Sequence, residues 1–157
     1  MHTSEAGVEF IKQWEGLRLE AYFCSGEALT IGYGHTGSDV FVGQVITKQE
    51  AEDLLKKDLV KYEDAVKKYI NIALNQNQFD ALVSFTYNCG RFALRGSTLR
   101  FKLNRKDDPF LVAKEELIKW NKAAGNVVQG LVKRREAEIK LFCKEEQILE
   151  LCTNYNT

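Results

Sequence analysis

The stretch WEGLRLEAYFCSGEALTIGYGHT, residues 14 to 36, decides how the rest of the chain is read. A helix-like run ends in Glu15 and Gly16. A strand-and-turn segment carrying Cys24, Thr30 and His35 follows, punctuated by Gly26, Gly32 and Gly34. Upstream, Val8 and Ile11 share a helical face with Glu15, and Gly16 reads as the stop. A carboxylate there is disfavoured by the partial negative charge of the helix C-terminus and desolvated by its apolar neighbours. Both effects favour the protonated form, which suits a general acid near neutral pH.

Working outward, Thr3 or Ser4 caps a short amphipathic helix over residues 3–15. Apolar-polar alternation is clearest over Ala28 to Tyr33, so residues 17–46 are expected to hold a small antiparallel sheet, too small to stand alone. Thr47-Lys48-Gln49-Glu50 is a capping-box sequence opening a long helix to about Ile70, with Ala51, Leu54, Leu55, Leu59, Tyr62, Val66 and Tyr69 as its apolar face. Asp58 falls on or beside that face and there needs a partner. A more apolar helix over 76–89 is stopped by Gly90, Ser97 caps a short helix, and Asp108-Pro109 opens another running to about Lys122. After a loop over 125–130, residues 131–144 form a basic helix whose apolar side is Leu131, Ala137, Leu141 and Phe142. The expected fold class is α+β. One domain spans 1–157: a sheet lobe over about 14–46, a connecting helix over 47–70, a mainly helical lobe over 71–144 and a variable tail over 145–157. A cleft should lie between the lobes.

Composition bounds the function. Hydrophobic residues make up 45% and charged residues 28%, which is globular, and the formal net charge of zero gives no argument for nucleic acid. The four cysteines, at 24, 89, 143 and 152, form no Cys-x-x-Cys pair, and two histidines make a metal site unexpected; no cofactor is expected either. The N-terminus lacks the basic and apolar regions of a signal peptide, and no run reaches membrane-spanning length, so synthesis in a cytoplasm with reduced thiols is expected.

The spacing of Glu15, Cys24 nine positions on and Thr30 six further, followed by Ile-Gly-Tyr-Gly-His-Thr at 31–36, resembles the catalytic pattern of phage-type lysozymes, glycoside hydrolase family 24. The resemblance continues through residues 77–90, Ser97-Thr98-Leu99, Trp120 and residues 130–138, and covers roughly 3 to 144. It implies a lysozyme-like fold and an endolysin that cuts bacterial peptidoglycan between N-acetylmuramic acid and N-acetylglucosamine, with inversion at the anomeric carbon. It further implies Glu15 as proton donor, position 24 as the second catalytic group, and Thr30 as a residue that helps hold the water. Cys24 departs from the Asp of many relatives, and a thiol is mostly neutral at pH 7 unless its pKa is lowered. Tyr87 and Thr98 match positions lining the sugar cleft, and His35 with Asp58 matches a structural ion pair. An arginine of the Arg134-Arg135 pair is expected at Glu15, with Arg135 favoured. Peptidoglycan is the implied partner of a monomer without stable membrane insertion. The implied life history is a wait in the host cytoplasm until a membrane pore gives access to the periplasmic wall.

Rival readings remain open on residue types alone. Cys24, His35 and Asp58 are the residues of a thiol-dependent wall amidase or peptidase. A catalytically dead wall-binding module, or a secreted antibacterial effector with the same domain, would carry much of the same sequence.

Overall fold

A computed structural model describes residues 1–26 and 28–155; the last two residues of the variable tail lie outside the described residues. Helix α1, Glu5–Lys12, begins at Ser4, whose side chain accepts from the Gly7 N–H, and buries Val8 and Ile11. Ser4 is itself tied to Asp80, 76 positions away in the chain. Gly7 lies so close to Asp80 that an added Cβ would fall 2.5 Å from its carboxyl carbon. That contact seats α1 on the helix carrying Asp80.

The helix is shorter than its sequence pattern suggests. After Lys12 the chain tightens into i→i+3 bonds, Trp14 N to Ile11 O at 3.0 Å and Glu15 N to Lys12 O at 3.2 Å. Glu15 therefore stands in the turn beyond α1, not on the face carrying Val8 and Ile11.

Strands β1 (Arg18–Phe23), β2 (Leu29–Gly32) and β3 (His35–Thr36) form an antiparallel sheet in that order. Tyr22 stands opposite Thr30, and the register shifts between Arg18 and Tyr22. Thr30 stands opposite Thr36, and Ile31 opposite His35. Gly32 and Gly34 have φ of 67° and 90°, a left-handed backbone that lets the chain reverse within three residues.

Helix α2, Lys48–Tyr69, starts at Thr47, which accepts from the Glu50 N–H, and buries Ala51, Leu55, Leu59 and Val66. Lys12 bridges α1 to α2 through Glu52 at 2.9 Å. Helix α3, Gln76–Cys89, is buried almost throughout and carries the full reciprocal capping box, Asn75 with Gln78. Gly90, at φ 98°, ends it. Helices α4 (Arg91–Gly96), α5 (Thr98–Asn104) and α6 (Pro109–Glu116) wrap the lobe, α6 continuing into a 3-10 turn at Leu117–Lys119 that stops short of the expected Lys122. A hairpin, β4 (Lys122–Ala123) against β5 (Asn126–Val127), spans the expected helix end and the first part of the segment read as a loop, turned through Ala124 and Gly125 at φ 50° and 80°.

Helix α7, Gln129–Phe142, packs on α3, and α8, Lys144–Tyr155, follows it. Of the apolar set read from sequence only Phe142 is on the fully buried side of α7; Leu131, Ala137 and Leu141 are half-buried. That side consists of Arg134, Arg135, Glu138 and Phe142. The core proper joins Leu55, Leu59, Phe79, Leu82, Phe85, Leu99, Leu103 and Phe142, all at or near zero exposure.

Candidate active site

Where the turn after α1 meets the reversal after β2, the middle of α2 and the C-terminal end of α3, a cavity of about 260 Å³ opens. Glu15, Gly34, Asp58, Tyr62, Tyr87 and Asn88 line it. Glu15 enters from the turn, with its side chain 22% exposed. Arg134 Nη1 donates to Glu15 Oε1 at 2.8 Å. No hydrogen bond to Glu15 Oε2 is formed among the described residues. The influences read locally, an apolar helix stripe and a helix C-terminus, are therefore not the immediate surroundings of this carboxylate; a guanidinium is.

This corrects the expectation for Arg135. Its guanidinium faces the other way, with Nη2 donating to Asn88 Oδ1 at 2.9 Å, Nη1 lying 2.9 Å from Cys89 Sγ, and the group lying over the Phe85 ring. Both arginines meet Glu138. Arg134 Nε lies 3.3 Å from Glu138 Oε1, and Arg135 Nη2 donates to the same oxygen at 3.0 Å. Arg135 Nε and Glu138 Oε2 stand 2.8 Å apart as an ion pair, without the alignment of a hydrogen bond. Ser84 Oγ donates to Glu138 Oε1 at 2.7 Å. Burial pushes the Glu138 carboxyl above the ordinary glutamate range, opposed by the two guanidiniums. A buried relay thus runs from Glu138 through Arg134 to Glu15.

Tyr87 lines the cavity from α3 and donates its hydroxyl to the Tyr33 carbonyl at 2.9 Å. Burial holds that phenol well above its usual range, so Tyr87 is a neutral wall. Its ring meets Tyr62 edge-on at 5.1 Å. Tyr62, read from sequence as part of the core face of α2, is a cavity residue. So is Asn88, which the sequence patterns did not single out; its nearness to the Gly90 stop is the only local hint.

His35 and Asp58 meet, with Nδ1 and Oδ2 2.7 Å apart. The other ring nitrogen, Nε2, lies 3.0 Å from both oxygens of Asp39. Burial pulls the imidazole down, but its hydrogen bonds to Asp58 and Asp39 outweigh it and hold the pKa above the ordinary histidine value. Since carboxylates engage both ring nitrogens, no Cys24–His35 pair forms, and the thiol hydrolase arrangement lacks its base.

Cys24 and Thr30 stand together at the turn end of the β1–β2 hairpin and do not line the cavity. The Cys24 N–H donates to the Ala28 carbonyl at 3.0 Å, and Thr30 Oγ1 donates to the same carbonyl at 3.1 Å. Cys24 is exposed with a free thiol, whereas Thr30 is buried. Thr98 is exposed on the first turn of α5 and is not brought to the cavity. Among the described residues no group of three or more His, Cys, Asp or Glu side chains is arranged to hold a metal ion.

Comparison with known proteins places this arrangement in a lineage. The endolysin of Bacillus phage B103 is 49% identical over 93% of this chain but only 56% of its own length, so the chain spans about half of that relative. The endolysin of Salmonella phage P22 is 40% identical over 90% of this chain and 98% of its own. Among solved structures, a mutant of P22 lysozyme superposes with a TM-score of 0.82 at 39% identity, covering 90% of this chain and 98% of that one. The fold is therefore the α+β lysozyme fold. The family model described as phage lysozyme matches residues 12–138, and the chain belongs to the phage lysozyme family.

Proposed function

We propose that this protein hydrolyses the β-1,4 bond between N-acetylmuramic acid and N-acetylglucosamine in bacterial peptidoglycan and so lyses a bacterial host, with Glu15 as general acid. The observation that carries this reading is the half-buried Glu15 carboxyl in a cavity walled by Tyr62, Tyr87 and Asn88, with one oxygen on Arg134 and the other without a hydrogen bond among the described residues. Protonated Glu15 gives its proton to the leaving glycosidic oxygen, and Arg134 steadies the carboxylate left behind. Aromatic faces and an amide suit the faces and hydroxyls of a sugar ring. The role of holding the attacking water is given to Thr30 and Cys24 by the family pattern alone, since both lie outside the cavity and share the Ala28 carbonyl. The reaction needs no cofactor and no metal. The endolysin names of the phage relatives support the wall as substrate. The protein acts as a monomer, without nucleic acid, and waits in the host cytoplasm until a membrane pore gives it access to the periplasmic wall.

The test is turbidity loss of outer-membrane-permeabilised cells, with product analysis for new reducing ends and new amino groups. Glu15→Gln keeps the shape and the Arg134 contact but supplies no proton. The expected loss is at least about 100-fold, with the melting temperature nearly unchanged. Near wild-type lysis by that variant, or amino groups released in place of reducing ends, would overturn the reading.

A further inference from the structure

The corner formed by α4 and α5 concentrates charge that the rest of the molecule balances. Residues 91–106, RFALRGSTLRFKLNRK, hold Arg91, Arg95, Arg100, Lys102, Arg105 and Lys106 and no acidic residue, in a chain whose formal net charge is zero. Two of these cations are neutralised nearby. Lys102 reaches Glu116 at 2.6 Å, and Arg105 Nε donates to Asp107 at 3.0 Å. Arg100 donates only to neutral carbonyls, those of Tyr69 and Arg95, and so keeps its charge. Arg91, Arg95 and Lys106 have no acidic partner among the described residues. Arg95, Arg100 and Arg105 border a groove of about 480 Å³, which shares no lining residue with the cavity at Glu15.

Phenyl rings stand among these cations. Phe101, 61% exposed, borders the groove, and Phe92, 76% exposed, lies one helical turn from Arg95 and Gly96 on the same face of α4. Exposed phenyls beside uncompensated guanidiniums call for a surface that is anionic outside and apolar just beneath. Inorganic polyphosphate in water would engage the arginines and give the phenyls nothing, and a single-stranded nucleic acid, whose bases could stack on them, would meet a chain of zero formal net charge. A bilayer interface takes both, headgroup phosphates in the groove and rings at the acyl boundary.

We propose that the α4–α5 corner is a peripheral docking surface for an anionic phospholipid bilayer. It requires no spanning segment, in keeping with the absence, among the described residues, of a helix long and apolar enough to cross a membrane. The groove and the Glu15 cavity have no lining residue in common, so the two sites can be tested separately. The inference stands apart from the glycosidase reading, because lipid binding and wall cleavage are read by separate assays.

The experiment is co-sedimentation of the full chain with vesicles of phosphatidylglycerol and phosphatidylcholine at increasing phosphatidylglycerol content, at low and high salt. Binding should rise with anionic lipid, be absent on pure phosphatidylcholine, and weaken with salt. Loss of each arginine should weaken binding about fivefold, so the Arg91→Gln/Arg95→Gln pair by about 25-fold. Phe92→Ser/Phe101→Ser should remove the binding that survives high salt. All four side chains are exposed, so melting temperature and wall cleavage should not change. Equal binding by wild type and the arginine pair overturns the proposal. So does binding to polyphosphate or single-stranded oligonucleotide without binding to vesicles. If a variant fails to fold, the wild type alone decides, and no binding at half phosphatidylglycerol in low salt overturns the proposal.

Discussion

Replacing Glu138 by Gln should damage the protein more than any exposed substitution, although Glu138 never touches the cavity. Its side chain is 0% exposed and faces Arg134 and Arg135, whose side chains are 4% and 0% exposed. Charge counting explains the effect. Two buried guanidiniums are balanced by Glu138 and by Glu15, the latter partly solvated. Gln keeps the volume and an acceptor for Ser84 but leaves Arg135 with only Asn88 and a thiol opposite it. Removing one partner of a buried ion pair leaves an uncompensated charge and costs about 3–5 kcal/mol. For a chain of this size each kcal/mol lowers the melting temperature by about 2–4 °C, so calorimetry should register a fall of roughly 6–20 °C.

Lysis measured well below that transition should also slow, because Arg134 loses one of the groups that aim it at Glu15. A paired replacement isolates the charge argument. Arg135→Met with Glu138→Leu deletes one charge of each sign at similar volume and leaves Arg134 with Glu15. It should recover at least half of the lost stability, since a buried pair is often replaceable by apolar side chains where half a pair is not. A Glu138→Gln protein that melts within about 2 °C of wild type, or a paired variant no more stable than the single one, would refute the reasoning.

Other outcomes follow from the same geometry. The raised His35 pKa contributes stability below the unfolded histidine value of about 6.5, lost as pH rises through the folded value, while the lowered Asp39 contributes above its unfolded value and is lost as pH falls. Denaturant melts should therefore show Asp58→Asn destabilising more at pH 5.5 than at pH 8, and an equal effect at both would count against the ion pair. Cys24→Ala should lyse cells far more slowly, and Cys24→Asp should be active and indifferent to thiol reagents that inhibit the wild type. Cys24→Ala at wild-type speed would make position 24 structural. Gly34→Ala forces a side chain into φ 90° with its Cβ 3.6 Å from the Tyr87 hydroxyl. It should lose about 1–3 kcal/mol in the same melts and raise KM for wall fragments, and a neutral result would mean the loop moves freely.

Legibility in the sequence followed the range of the interactions. The end of α3 could be read because Gly90 acts on its own helix end, and the start of α2 could be read from Thr47 for the same reason. The need of Asp58 for a partner was visible because a carboxylate beside an apolar stripe is anomalous by itself. The α7 face misled, because periodicity counts apolar residues while this helix buries Arg134, Arg135 and Glu138 against one another and against Ser84, 54 positions from Glu138. Nothing within α7 announces that its charges face inward.

The choice between the two arginines shows the limit most clearly. Arg134 and Arg135 lie four and three positions before Glu138, so either reaches it from the same side of the helix. They differ by about 100° around the axis, one step of a 3.6-residue turn. That rotation sends Arg134 toward the turn holding Glu15, and Arg135 toward the end of α3 at Asn88 and Cys89. What selects the rotation is the packing of α7 on α3, with Glu138 held by Ser84, a tertiary contact with no local trace in residues 131–138. The setting of Glu15 is decided there too. Its nearest charge comes from 119 residues along the chain. The α1 pattern could propose a proton donor but could not say what holds it.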